Sequence, residues 1–157
     1  MVRDKNLQPL SRQHHNGLLM VLLLSKGEKK HADLRIMGDF ILDGWQKELK
    51  EHFIMEEDIL VPALQDKDFD RKYTDRLLSE HSQIRSIIKK IEEGLFTTED
   101  LHFFYQTLEQ HIRFEERIYF PEAEKILDPE ELQRIGLLLH AGSAKNCMDY
   151  PVKFWEY

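Results

Sequence analysis

A chain of 157 residues, 41% hydrophobic and 32% charged, has the make-up of an ordinary globular domain, long enough to bury a core without cross-links. Its formal net charge of −7 excludes a general nucleic-acid surface, which would need clustered Lys and Arg. Cys147 is the single cysteine, which excludes an internal disulfide, a zinc ribbon and a Cys-x-x-Cys redox pair and makes a reducing cytoplasm the expected location.

Near the N-terminus, "GLLMVLLL" at 17–24 is far shorter than the ~20 apolar residues of a membrane span. It also lacks the flanks of a signal peptide, so it reads as a buried helix face and no membrane partner is expected. Glycine and proline gather at a few places, and apolar residues recur at three- and four-residue spacing, a pattern of long helices. The first helix is predicted to start after Pro9, with Ser11 as cap, and to run to about Lys26. The second takes up much of 33–65, with Ile41, Trp45, Leu49, His52, Glu56 and Ile59 on one stripe. A third begins near Asp70 and stops at Gly94, a residue that tolerates positive φ. "TTED" from Thr97 opens the fourth, with acidic residues where the helix dipole favours them. "DPEE" from Asp128 opens a shorter fifth, with Asp as cap and Pro129 in the first turn. The aromatic tail "DYPVKFWEY" is expected to cover the bundle or a second subunit, which makes a homodimer a candidate assembly. The expected architecture is a single all-α domain over 1–157. An up-down-up-down antiparallel four-helix bundle fills about 10–127, and the C-terminal helix and tail fill 128–157.

Within this frame one motif is written twice: "HFIMEEDILVP" at 52–62 and "HIRFEERIYFP" at 111–121. The chain is duplicated more widely, because "EHSQIRSII" around His81 is similar to "HHNGLLMVLL" around His15, and each precedes one copy of the motif. On a helix, residues four apart share a face, so His52 points with Glu56 and His111 with Glu115. Glu57 and Glu116 are rotated away, toward solvent or a surface pair. His81 and His111 lie about fifteen residues either side of one connection, which sets them at one level for a rise of about 1.5 Å per residue. Glu56 and His81 match across the preceding connection to within a turn. The interval from His15 to His52 is longer by roughly seven residues, an excess assigned to a non-helical piece within 27–38. Four histidines and two glutamates are thus expected in one buried layer. Such a layer is costly unless cations neutralise the carboxylates and take the imidazole lone pairs. Both glutamates bridging would give each of two metals two nitrogens and two oxygens. An oxo or hydroxo bridge would add a fifth ligand, leaving an octahedral metal open to dioxygen, nitric oxide or peroxide. Pro62 and Pro121 are expected only to bend the helix ends past the ligands.

"RQHH", "HFIMEEDILVPAL", "SEHSQI" and "HIRFEERIYFPEA" together resemble the hemerythrin-like family, the HHE cation-binding domains, over about 10–127. The resemblance implies a four-helix bundle around a non-haem di-iron centre, with manganese or zinc as other acceptable metals. Its ligand positions fall on His15, His52, Glu56, His81, His111 and Glu115, with His14 and Glu116 as the alternatives at the first and last helices. His15 is preferred because Leu18, Val21 and Leu22 then stand where Ile84, Ile87 and Ile88 stand relative to His81. Oxygen-carrying hemerythrins have a histidine where this chain has Arg85, so the resemblance points away from oxygen transport. It points instead to iron handling, to sensing of oxygen or nitric oxide, or to protection against oxidative stress, with catalysis on peroxide or iron release as the enzymatic alternative. "EKKH" at 28–31 and "EDLH" at 99–102 fit the shorter motif of ferritin-like bundles, but both lie near predicted helix ends.

Overall fold

Polar caps start most of the helices at the expected places. The structure is a computed structural model that describes residues 2–141 and 152–156, and the described residues contain five helices, a terminal 3-10 turn and no strand. We name the helices α1 (Gln8–Lys29), α2 (34–65), α3 (Arg71–Glu92), α4 (98–126) and α5 (Pro129–His140). The Asp33 and Asp70 side chains accept backbone N–H groups in the first turns of α2 and α3, and Thr97 and Asp128 open α4 and α5 with reciprocal capping boxes. Helix α1 departs from expectation. It begins at Gln8 behind Leu7, with Pro9 in the first turn and no side-chain cap, and Ser11 lies inside the helix with its hydroxyl donating to Glu116 at 2.8 Å. At the other end of α3, Gly94 takes φ +71 and Leu95 N–H donates to the Lys90 carbonyl, closing the helix as its sequence implied.

Helices α2 and α4 are each one rod interrupted by π-turns. Both glutamate motifs contain one: Glu56–Leu60, where Val61 N–H donates to the Glu56 carbonyl, and Glu115–Tyr119, where Phe120 N–H donates to the Glu115 carbonyl. A proline stands one residue beyond each turn, Pro62 after Val61 and Pro121 after Phe120. Its ring would crowd the carbonyl four residues back, and a five-residue turn gives that carbonyl room. The extra residue also shifts the buried stripe of α2, so that Leu60 and not Ile59 is fully buried beyond Glu56. A third π-turn, Trp45–Leu49, lies just before His52.

Short connections at 30–33, 66–70 and 93–97 reverse the chain three times, and α1 packs on α2 and α4 while α3 packs on α2 and α4. Only residues 30–33 separate α1 from α2, so the long His-to-His interval is not a non-helical insert. The excess is helical, carried by longer α1 and α2 that project beyond the opposite connection, where Phe96 packs on Gly38, and by the third π-turn. Helix α5 lies against α1 and the second π-turn of α2. Phe154 of the tail is buried on the projecting end, 5.0 Å between ring centroids from Phe40 and close on Gly27. The described part of the tail therefore covers its own bundle; residues 149–151 and 157, like Cys147, lie outside the described residues. No helix of the described residues is long and apolar enough to cross a membrane.

Two apolar clusters fill the interior. One, toward the projecting end, is built on Leu24, Ile41, Ile84, Leu101 and Phe104. The other, toward the opposite end, is built on Leu10, Leu60, Leu77, Phe120 and Ala123. Between them lies a layer of polar residues.

Candidate metal centre

The polar layer is supplied by all four bundle helices. His14 comes from α1, His52 and Glu56 from α2, His81 from α3, and His111 and Glu115 from α4, and all six side chains are buried. They form two overlapping groups of four donor atoms, each within 4.8 Å of one another: His14, His52, Glu56 and Glu115, and Glu56, His81, His111 and Glu115. The two glutamates are common to both. Every histidine turns Nε2 toward them. His14 Nε2 is 2.9 Å and His111 Nε2 3.0 Å from Glu115 Oε1, His81 Nε2 is 3.0 Å from Glu56 Oε1, and His52 Nε2 is 3.3 Å from Glu56 Oε2.

His14, and not His15, belongs to this layer; His15 is exposed. One residue rotates a helical side chain by about 100°, so only one of the pair can face inward. The apolar positions three, six and seven after His14 are Gly17, Met20 and Val21, all buried, and they correspond to Ile84, Ile87 and Ile88 after His81. Gly17 hides the register in the sequence. The Ile112 side chain of α4 fills the space beside it, its Cδ1 lying 2.8 Å from where a Cβ at 17 would stand. Leu22, which favoured His15, is 48% exposed. Glu115 is in the layer, and the alternative, Glu116, stands outside it.

Around the layer is a second ring of contacts that sequence reasoning missed. His81 Nδ1–H donates to Glu57 Oε2 at 2.6 Å, His111 Nδ1–H to Glu80 Oε1 at 2.8 Å, and His52 Nδ1–H to Gln13 Oε1 at 2.5 Å. Glu57 is in a partly exposed pair with Arg85, as expected, and in addition it backs His81. Glu116 lies more loosely, 3.4 Å from His14 Nδ1. Carboxylates and amide oxygens only accept, so these partners hold a ring proton on Nδ1 and turn Nε2 inward, where it can serve a cation once any second proton has left. The one available signal was the doubled Glu-Glu, in which the second residue of each pair reaches a histidine on another helix.

Aromatic rings seal the layer from both sides. Phe53 stacks on His81 with centroids 3.9 Å apart and Phe120 stacks on His14 at 5.3 Å. Tyr119, one turn past Glu115, is fully buried, and its hydroxyl meets Thr74 Oγ1 at 3.0 Å. The glutamates of "EKKH" and "EDLH" take no part: Glu28 pairs with exposed His102 at 3.1 Å, apart from the layer.

Electrostatics divide the six groups by the protons they would carry on their own. Burial holds the imidazoles of His52 and His81 down, to about 4 and about 3. Burial opposes charge on His111 too, but Glu115 and Glu80 outweigh it and push its pKa up to about 9. His14 is raised in the same way, burial being outweighed by Glu115. Glu56 is raised by burial and by Glu115 beside it. Glu115 resists the same burial because His111 and other donors face it, and is lowered. Protons alone leave the layer unsatisfied: His52 Nε2, His111 Nε2, Glu56 Oε2 and Glu115 Oε2 are buried without a well-aligned hydrogen bond among the described residues. An orphaned buried polar atom costs about 1–3 kcal/mol. Cations placed among these lone pairs and carboxylate oxygens would satisfy all four, so the donor set fits a pair of metal ions.

Residues 8–123 match the family described as Hemerythrin HHE cation binding domain. Neither the curated proteins nor the solved structures include a significant match to the chain. The family match covers most of the chain and spans the whole buried layer, and we conclude that the chain belongs to the hemerythrin HHE cation-binding family.

Proposed function

We propose that the six buried donors hold two cations, His14 and His52 serving one, His81 and His111 the other, with Glu56 and Glu115 shared. The observation that carries this reading is the convergence of four inward Nε2 atoms on two carboxylates within one sealed layer. Iron is the metal proposed, since imidazole and carboxylate suit it and the family resemblance points to it. Two iron ions in this setting would supply reversible binding or redox chemistry toward dioxygen, nitric oxide or peroxide. The protein's own part is to orient the imidazoles through their Nδ1 bonds, to neutralise the cations with Glu56 and Glu115, and to exclude bulk water with Phe53 and Phe120. A role in sensing or handling such small molecules, or iron itself, follows from four protein donors per cation, fewer than an octahedral ion accepts.

The test is anaerobic reconstitution with ferrous iron, followed by exposure to dioxygen, nitric oxide and peroxide under an optical spectrometer. Two iron equivalents per chain and new near-ultraviolet or visible absorption on exposure are expected. A colourless, unchanged product would dismiss sensing and catalysis alike.

A further inference from the structure

The two halves of the centre are built from equivalent helix pairs, yet their outer contacts differ. On the His81–His111 side, both Nδ1–H groups donate to carboxylates at 2.6 and 2.8 Å, and both carboxylates are held in place. Arg85 donates to both oxygens of Glu57 at 2.7 and 3.1 Å, and Arg76 Nε donates to Glu80 Oε2 at 3.2 Å. On the other side, His52 donates to the neutral amide of Gln13, and His14 Nδ1 stands 3.4 Å from Glu116 Oε2 without hydrogen-bond alignment. That oxygen already accepts from Ser11 at 2.8 Å and lies 3.7 Å from the Arg3 guanidinium, so it is engaged away from His14. Gln13 also lines a cavity of about 210 Å³ between α1, α2 and α5, shared with Asn16, Glu48 and His140. A neutral amide is therefore the one outer partner of His52, whereas His81 and His111 are backed by carboxylates that are themselves ion-paired, Glu57 to Arg85 and Glu80 to Arg76.

We propose that the centre is inequivalent by construction: the His81–His111 half fills first and retains its cation, and the His14–His52 half is the exchangeable one. This rests on the two-cation reading. A carboxylate accepting from Nδ1–H makes the imidazole a stronger donor to a cation, and such charge-assisted bonds are about twice as strong as neutral ones. A neutral amide does this less, and a contact without alignment does so least. Losing such an outer partner changes metal affinity by about 10- to 100-fold, so the asymmetry is large enough to order the loading.

Calorimetric titration with Co²⁺ under anaerobic conditions reads the order. Two cations sharing carboxylates repel one another, so stepwise binding alone proves nothing, and the variants decide. Glu80→Gln is expected to weaken the first step about 10-fold and to spare the second. Gln13→Glu is expected to tighten the second. Crystals of the unaltered chain grown with one Co²⁺ equivalent should show the anomalous peak between Glu56, His81, His111 and Glu115. A peak at His14 and His52, equal occupancy of both halves, or a Glu80→Gln effect confined to the second step would overturn the inference while leaving the two-cation reading intact. Fewer than two equivalents bound at saturation would overturn both.

Discussion

The apolar clusters and the polar layer between them are equally buried and do opposite things to stability. Phe104, Leu24 and Leu60 are satisfied by packing alone, and the fold gains from burying each. His52, Glu56, His111 and Glu115 are just as enclosed, but burial penalises their charged forms and leaves four of their polar atoms without an aligned partner. The clusters are completed by folding alone; the layer is not, and the proposed cations would complete it.

The largest expected effect comes from removing a shared donor. Excess metal at 1,000 times its dissociation constant should stabilise the unaltered chain by ~4 kcal/mol per site. Glu115→Ala should abolish that gain, because the carboxylate serves both groups of donors. A melting scan in which the metal-induced rise survives Glu115→Ala would place the donors elsewhere. Phe104→Ala should lower stability by about 3–5 kcal/mol through the cavity it leaves, with the metal-induced increment unchanged. Denaturant titrations with and without metal would show this, and an increment that shrank along with the core would erase the distinction between the two regions.

A pH series sharpens it further. In protein stripped by a chelator, His111 has its pKa raised to about 9, so its stabilising contribution is complete below 6.5 and is lost as pH climbs through 9. His52 and His81 are held down to about 4 and about 3, so their contribution is present above 6.5 and is lost as pH falls toward those values. These three groups together place the stripped protein's stability maximum near 6.5. Metal must displace the proton from His111, so affinity should rise by up to about tenfold per pH unit between 6.5 and 9. Proton release measured with an indicator dye checks it; pH-independent uptake without release would contradict the charge pattern. The smallest effect belongs to His15→Ala, expected to change neither the increment nor basal stability by more than about 0.5 kcal/mol, since the side chain is exposed. Loss of the increment in that variant would reverse the choice between the neighbouring histidines.

Much of this architecture was legible in the chain. The caps at Asp70, Thr97 and Asp128, the stop at Gly94 and the repeated His-x-x-x-Glu spacing are local signals, carried by a few adjacent residues and one helical period. The burial of His14 is hard to read from sequence because its register depends on Gly17, and a glycine reads as a gap in an apolar stripe unless Ile112 is seen filling it. A uniform helical period puts Ile59 on the buried stripe, and the π-turn at Glu56–Leu60 adds a residue that no such period contains. The Nδ1 partners were invisible for a related reason: Gln13, Glu57 and Glu80 each reach a histidine on a different helix, and no single helical period reports that.

Spacing within one helix was enough to read the helices, their order and five of the six side chains that reach the buried layer. Packing between helices was needed to settle which of two adjacent histidines faces inward, which carboxylates back which imidazoles, and where the excess of α1 and α2 goes. Those outcomes turn on how closely two rods approach and on rotations of about 100° per residue, quantities set by packing between helices and not by composition along one.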